Sequence, residues 1–275
     1  MDISFLTKAI GGPRLLYTLQ KSHGLASIST VRRDKKIPHL LPSIGIPTQE
    51  EISANISSFL NPDIKPPPQP LPGGALSGNV LMFDGLALET KCCYCPYRNT
   101  ILGLCREHAH RVDTQVDSLE SVENVRLALQ KDAKDPGKVC FGSDATVVAI
   151  APYARDDHYT PVPLVVSPSD KTEKGVELAK WIQVVLDTWD SHPQGRILHG
   201  EIDALASDGD SGFRLAKHLI CMVQDTDPDS PLGKIVHSLL GLNCLTSIGG
   251  QRSTGDPKHI FKRKTYLCNS DFPAH

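Results

Sequence analysis

ALASDGDSGFR, residues Ala204 to Arg214, joins an apolar run to two aspartates, Asp208 and Asp210, one glycine apart, with a helix-like segment directly behind them. Carboxylates at the tip of a strand that is otherwise apolar have two readings. One is a surface turn in which the aspartate caps the following helix; the other is a site for a divalent cation, which favours hard oxygen ligands.

Working back from this stretch, Glu173 to Trp189 carries Val176, Leu178, Ala179, Ile182, Val185 and Leu186 at helical spacing, a long amphipathic helix. Before it, ATVVAIAPYA (Ala145 to Ala154) and PVPLVVS (Pro161 to Ser167) read as a strand pair around the charged turn ARDDHY. Asp117 to Lys134 reads as a helix closed by DPG. SGNVLMFDGLALETKCCYC and NTILGLCREH read as two strands of a β-hairpin with its turn near Pro96 to Asn99. The order strand, strand, helix, strand pair, long helix, strand predicts a mixed β/α layer. In it Asp84 lies inside the apolar strand VLMFDGLAL, where an unpaired carboxylate would cost several kcal/mol unless a cation or a donor neutralised it. Pairing of Asp84 with a nearby Lys or Arg is the structural alternative.

At 275 residues and 40% hydrophobic content the chain can build a sizeable core. It contains no run of the roughly 18 apolar residues that a membrane span needs, and its first residues, MDISFLTKAIGGPRLLYTLQK, do not follow the order of a secretory signal. A nuclear or cytoplasmic location, not a secreted one, is expected. Lys and Arg number 29 against 31 acidic residues, so overall charge does not argue for nucleic acid. Basic residues do cluster, in VRRDKK (Val31 to Lys36) and in KHIFKRK (Lys258 to Lys264).

GPRLLYTLQKSHGLASISTVRR reads as helix, glycine turn and second helix, either a helix-turn-helix or an ordinary αα-hairpin. NPDIKPPPQPLPGG (Asn61 to Gly74) excludes helix and interior strand. The expected organisation is a helical segment over 1–60, a proline-rich linker over 61–74 and a core over 75–275. Eight cysteines in a chain read as intracellular point to thiols or metal before disulfides. Cys92, Cys95, Cys105 and His108 form C-x2-C-x9-C-x2-H, a spacing open either to a zinc site or to reduced core and surface thiols.

FDG followed by a hairpin, a strand, a long helix, SDG and then D-P-K-H-I-F-K-R resembles the order of blocks in eukaryotic cut-and-paste transposases of the P-element and hAT type. HGLASISTVRR is similar to the segment before the first catalytic strand in P-element relatives, and GLCREH and KHIFKR resemble blocks of transposon-derived proteins of mushroom-forming fungi. The resemblance spans roughly residues 13–264. It implies an α/β, RNase H-like mixed sheet with flanking helices, incomplete at its C-terminus, with Asp84 and Asp208 as the catalytic pair holding Mg2+ or Mn2+. It further implies that Asp256 and His259 form a D-x-x-H block, with His259 positioning the site. DNA is the implied partner, with Arg32, Arg33, Lys35, Lys36, Lys262 and Arg263 as contacts. Two departures matter: Gly85 replaces the family's glutamate, and the additional helix-borne Glu of such enzymes does not follow the D-x-x-H block. A truncated, inactive copy is therefore expected. A non-catalytic DNA- or protein-binding relic is the alternative, and a small zinc-binding module a third.

Overall fold

The computed structural model describes residues 2–30, 38–63, 65–153, 161–241 and 243–255. They form two compact units, 1–39 and 40–275. In the first, helix α1 (Asp2–His23) is interrupted at Gly12, whose φ of 74° precedes Pro13, a pair that breaks helical hydrogen bonding. Residues 28–30 begin a second helical turn, with the Ser27 hydroxyl accepting from the Thr30 amide at 3.1 Å. The second helix expected from the sequence is described only over 28–30. Arg32, Arg33, Lys35 and Lys36 lie outside the described residues.

The second unit is built on a five-stranded mixed sheet. Its strands are β1 (Asn79–Ala87), β4 (Asp144–Pro152), β5 (Val162–Ser169), β6 (Ile202–Ser207) and β9 (Arg252–Gly255), in the order β5-β4-β1-β6-β9. β1 pairs antiparallel with β4 and β4 with β5, whereas β6 runs parallel to both β1 and β9. Three meandering strands followed by two parallel ones, each reached through a helix, make the 3-2-1-4-5 order of an RNase H-like sheet.

The connecting helices are α4 (Gly175–Ser191) and α6 (Ser211–Cys221). α4 buries Leu178, Trp181, Ile182, Val185, Leu186 and Trp189, a stripe at i, i+3, i+4, i+7, i+8 and i+11. Val176, expected on that stripe, is exposed, and the two tryptophans take the place of weaker apolar positions. Helix α2 (Gln49–Phe59) starts in a capping box between Thr48 and Glu51 and adds Ile52 and Ile56 to the same core. Leu81, Phe83, Val148, Ile150 and Leu205 face these helices from the sheet. Asn55 of α2, 1% exposed, donates to the Leu164 carbonyl at 2.9 Å and exchanges hydrogen bonds with the Leu41 backbone. Ser43 N–H donates to the Val166 carbonyl, so the outer edge of β5 is covered rather than left as an open edge.

Residues 88–143 form an excursion between β1 and β4. It holds β2 (Cys93–Cys95), β3 (Thr100–Leu102), a 3-10 turn (Ala109–Arg111) and α3 (Leu119–Gln130), around a small core of Ile101, Leu104, Ala109, Val125, Ala128 and Val139. The expected hairpin turn at 96–99 is present, with Cys93 to Cys95 pairing with Thr100 to Leu102, but its first strand is not one long run: VLMFDGLA belongs to β1, at the centre of the main sheet, and only CYC enters the hairpin. Outside the main sheet lie three further short elements and one more helix: α5 (Arg196–His199), β7 (Gln224–Asp225) paired with β8 (Leu245–Thr246), and α7 (Pro231–Val236) between those two strands. Among the described residues no helix is long and apolar enough to cross a membrane.

Candidate functional site

Parallel pairing brings the two aspartates singled out in the sequence level with each other. Phe83 of β1 lies opposite Ser207 of β6, so Asp84 and Asp208 are the next residues along two adjacent strands running in the same direction. Strands in one sheet stand about 4.8 Å apart, so the two residues lie side by side where β6 ends and β1 runs on to Ala87 along β4. Alternation explains their outward placement. Leu81, Phe83, Leu205 and Ser207 are buried, whereas Asp84 is exposed and Asp208 half-buried.

That exposure corrects the energetic expectation for Asp84. The carboxylate is not immersed in an apolar strand: β1 leaves the helix-covered layer at this residue and stays exposed from Asp84 to Ala87. No desolvation cost demands a cation. Asp84 Oδ1 accepts the Gly85 amide at 2.8 Å, and among the described residues it forms no ion pair.

Of the two aspartates of the opening stretch, one takes the helix cap. Asp210 is the cap of α6, its Oδ1 accepting from Gly212 N at 2.8 Å and Phe213 N at 3.2 Å. Asp208 caps nothing and accepts the Asp210 amide at 3.0 Å. On α6 the buried Lys217 donates to the Thr254 carbonyl of β9 at 2.6 Å. Burial pushes its ammonium below the ordinary range, against the pull of Cys221 and Asp208. Asp256, His259, Lys262 and Arg263 lie outside the described residues.

The expected cysteine set does not gather. Cys93 to Cys95 pair with Thr100 to Leu102 in a hairpin that carries Cys95 away from Cys105. Cys105 and His108 instead meet Asp170, just past the end of β5. Among the described residues these three are the group of ligand atoms close enough to share an ion, all within 4.8 Å of one another. Burial first, then the Asp170 and Glu107 carboxylates, push the Cys105 thiol far above its ordinary range.

GLCREH itself acts as a clamp, which sequence reading missed. The Arg106 amide donates to the Pro168 carbonyl at 2.9 Å. The Arg106 side chain is 2% exposed; its Nη2 and Nε donate to Glu173 Oε2 at 2.7 and 2.9 Å, and its Nη1 reaches Thr146 Oγ1 and the Ser167 carbonyl. The guanidinium lies 5.3 Å from the Trp181 ring centroid, a cation–π contact. Glu107 accepts from the Ser169 hydroxyl at 2.5 Å. Arg106 and Glu107 thereby tie the excursion to β4, to β5 and to Glu173, two residues before α4. A pair 67 positions apart in sequence, Arg106 and Glu173, left no local signal by which it could be found.

No protein-family model and no curated protein matches the chain. Among solved structures it is similar to the Drosophila P element transposase strand transfer complex, with 9% identity, a TM-score of 0.33 and coverage of 92% of this chain and 50% of that one. The chain thus spans about half the length of that relative. The strand order above, rather than this likeness, identifies the fold.

Proposed function

We propose that this protein is a transposase-type nucleic-acid protein whose RNase H-like core holds Mg2+ or Mn2+ between Asp84 and Asp208, and that it engages DNA without cutting it. The observation that supports this reading is the register of β1 and β6, in which Asp84 and Asp208 are the residues that follow the Phe83 and Ser207 pair on adjacent parallel strands of a 3-2-1-4-5 sheet. The order of the FDG, SDG and D-P-K-H-I-F-K-R blocks supports the transposase assignment.

The donors suit such an ion. Both are hard oxygen ligands on rigid strand ends, open enough to admit a phosphate and waters beside the ion, the way Mg2+ is ordinarily held by one or two carboxylates. A bound divalent ion supplies charge stabilisation at a phosphate and acidifies the attacking water. The chain's own part is to orient the carboxylates. Asp210 takes the helix cap, so Asp208, which accepts the Asp210 amide, is not committed to it. Arg32, Arg33, Lys35, Lys36, Lys262 and Arg263 supply phosphate contacts, and His259 of the Asp256 block positions the site.

Cleavage by two ions needs carboxylates on both sides of the scissile phosphate. Among the described residues no third ligand joins Asp84 and Asp208 closely enough to share an ion with both. The test pairs Mn2+ binding, followed by electron paramagnetic resonance, with nicking of supercoiled plasmid DNA. Expected are Mn2+ binding that is lost in both Asp84→Ala and Asp208→Ala, and no nicking. Binding unchanged in both variants would overturn the site, and metal-dependent nicking abolished by both would make the protein a complete enzyme.

A further inference from the structure

We infer that Cys105, His108 and Asp170 form a zinc site that staples the excursion between β1 and β4 to the end of β5. Cys105 Sγ lies 3.1 Å from His108 Nδ1, His108 Nδ1 lies 3.3 Å from Asp170 Oδ2, and Cys105 Sγ lies 3.5 Å from the same oxygen. A tetrahedral zinc with Zn–S of about 2.3 Å and Zn–N and Zn–O of about 2.0 Å sets donor-to-donor edges of about 3.3–3.6 Å. Two of the three edges fall in that range and the third is slightly shorter, so an ion fits with a small outward movement of the sulfur from the imidazole.

The donor chemistry points the same way. A thiolate, an imidazole and a carboxylate are the ligand types of zinc, and the set contains the sulfur that calcium and magnesium sites lack. On binding, the Cys105 thiol proton leaves to solvent. Thiolate and carboxylate then balance the dication, with His108 neutral. The surroundings already orient each ligand. Thr172 donates to Asp170 Oδ1 through both its amide and its hydroxyl, which leaves Oδ2 turned to the cluster. Cys105 is fully buried and fixed by its amide to the Cys140 carbonyl at 2.9 Å, while His108 and Asp170 keep 19% and 15% exposure and so leave a path for the ion. Cys140, whose carbonyl accepts the Cys105 amide, is not in the group of ligand atoms, and water takes the fourth position.

The site is independent of the Asp84 and Asp208 pair, since β4 separates β5 from β1 in the sheet. It also replaces the ligand set expected from spacing. Cys92 and Cys95 belong to the hairpin side of the excursion and not to this group.

The test uses the full chain stripped with chelator and titrated with Co2+ and then Zn2+. Expected are one Co2+ per chain with a thiolate-to-cobalt charge-transfer band, displacement by one Zn2+, and an affinity loss in Cys105→Ser and Asp170→Asn that exceeds the roughly 10–100-fold typical of an outer-shell partner. Cys92→Ser/Cys95→Ser together should leave the band unchanged. Asp170→Asn is isosteric and its side chain keeps 15% exposure, so it reports on the ligand even where Cys105→Ser fails to fold. The inference is overturned by no thiolate band in the wild type, which would leave the three groups as a hydrogen-bonded triangle, and equally by a band that survives Asp170→Asn but disappears in Cys92→Ser/Cys95→Ser.

Discussion

Two regions at the same edge of the sheet hold acidic side chains in opposite ways. Where the pairing of β1 with β6 ends, Asp84 is exposed and supported by one backbone amide, with Asp208 level with it only because two strands run parallel. Past the end of β5, Glu173 is nearly enclosed and takes two hydrogen bonds from a buried arginine packed on Trp181. The first arrangement leaves its carboxylates free to bind something from solvent. The second spends them on the fold. Burial of a charge requires a committed partner, so the clamp is where substitution should unfold the protein, and the strand ends are where substitution should change binding alone.

The largest effect expected from this contrast is at Arg106. Arg106→Met leaves the Glu173 carboxylate buried without its cation, and urea denaturation should register a loss of about 3–5 kcal/mol, as for other buried pairs broken on one side. A loss below 1 kcal/mol, the level of an exposed pair, would show that the clamp is not the structural element described here.

Gly103→Ala comes next. Gly103 has φ of 106°, and an added Cβ would stand 2.2 Å from the Lys91 carbonyl oxygen. Strain of this kind costs about 1–3 kcal/mol and should loosen the excursion first, so hydrogen exchange at Leu104 to His108 should accelerate more than exchange in α4. Equal acceleration in both would mean that the excursion and the main core open as one unit.

Asp210→Ala tests the division of labour in the opening stretch. Loss of the α6 cap should cost about 1 kcal/mol by thermal or urea melting, with Mn2+ binding retained. If Mn2+ binding fell as far as in Asp208→Ala, Asp210 would belong to the metal site and the assignment of roles would be reversed.

The smallest effect on stability is expected at Asp84. Asp84→Asn should stay within about 0.5 kcal/mol of the wild type, as surface substitutions usually do, while Mn2+ binding disappears. A stability gain on removing this charge would instead reveal repulsion from Asp208 and strengthen the case that the two carboxylates are held close together.

Legibility followed the range of the interaction. Helix α4, the β4 and β5 pair and the strand ending at Asp208 were readable because a 3.6-residue or two-residue apolar period is written in consecutive positions. The cap role of Asp210 was equally local. The turn at 96–99 was equally local and is present between β2 and β3, but the single long strand drawn into it was not: β1 ends at Ala87 and pairs with β4 across an excursion that closes its own small core, a crossing that no local pattern marks.

By itself the sequence determined the long helix α4, the strands β4, β5 and β6, the candidate aspartates and the presence of a Cys-x-x-His step, since all of these rest on spacing within a few residues, whereas α2 and β9 were not read from it. Tertiary structure alone decided which groups meet. It set Asp84 level with Asp208 through strand register, drew Asp170 rather than Cys92 and Cys95 to Cys105 and His108, and buried Arg106 against Glu173 and Trp181. The physical reason is that periodicity encodes which face of an element is apolar, whereas partners in a buried charged cluster are chosen by chain crossings that no local pattern records.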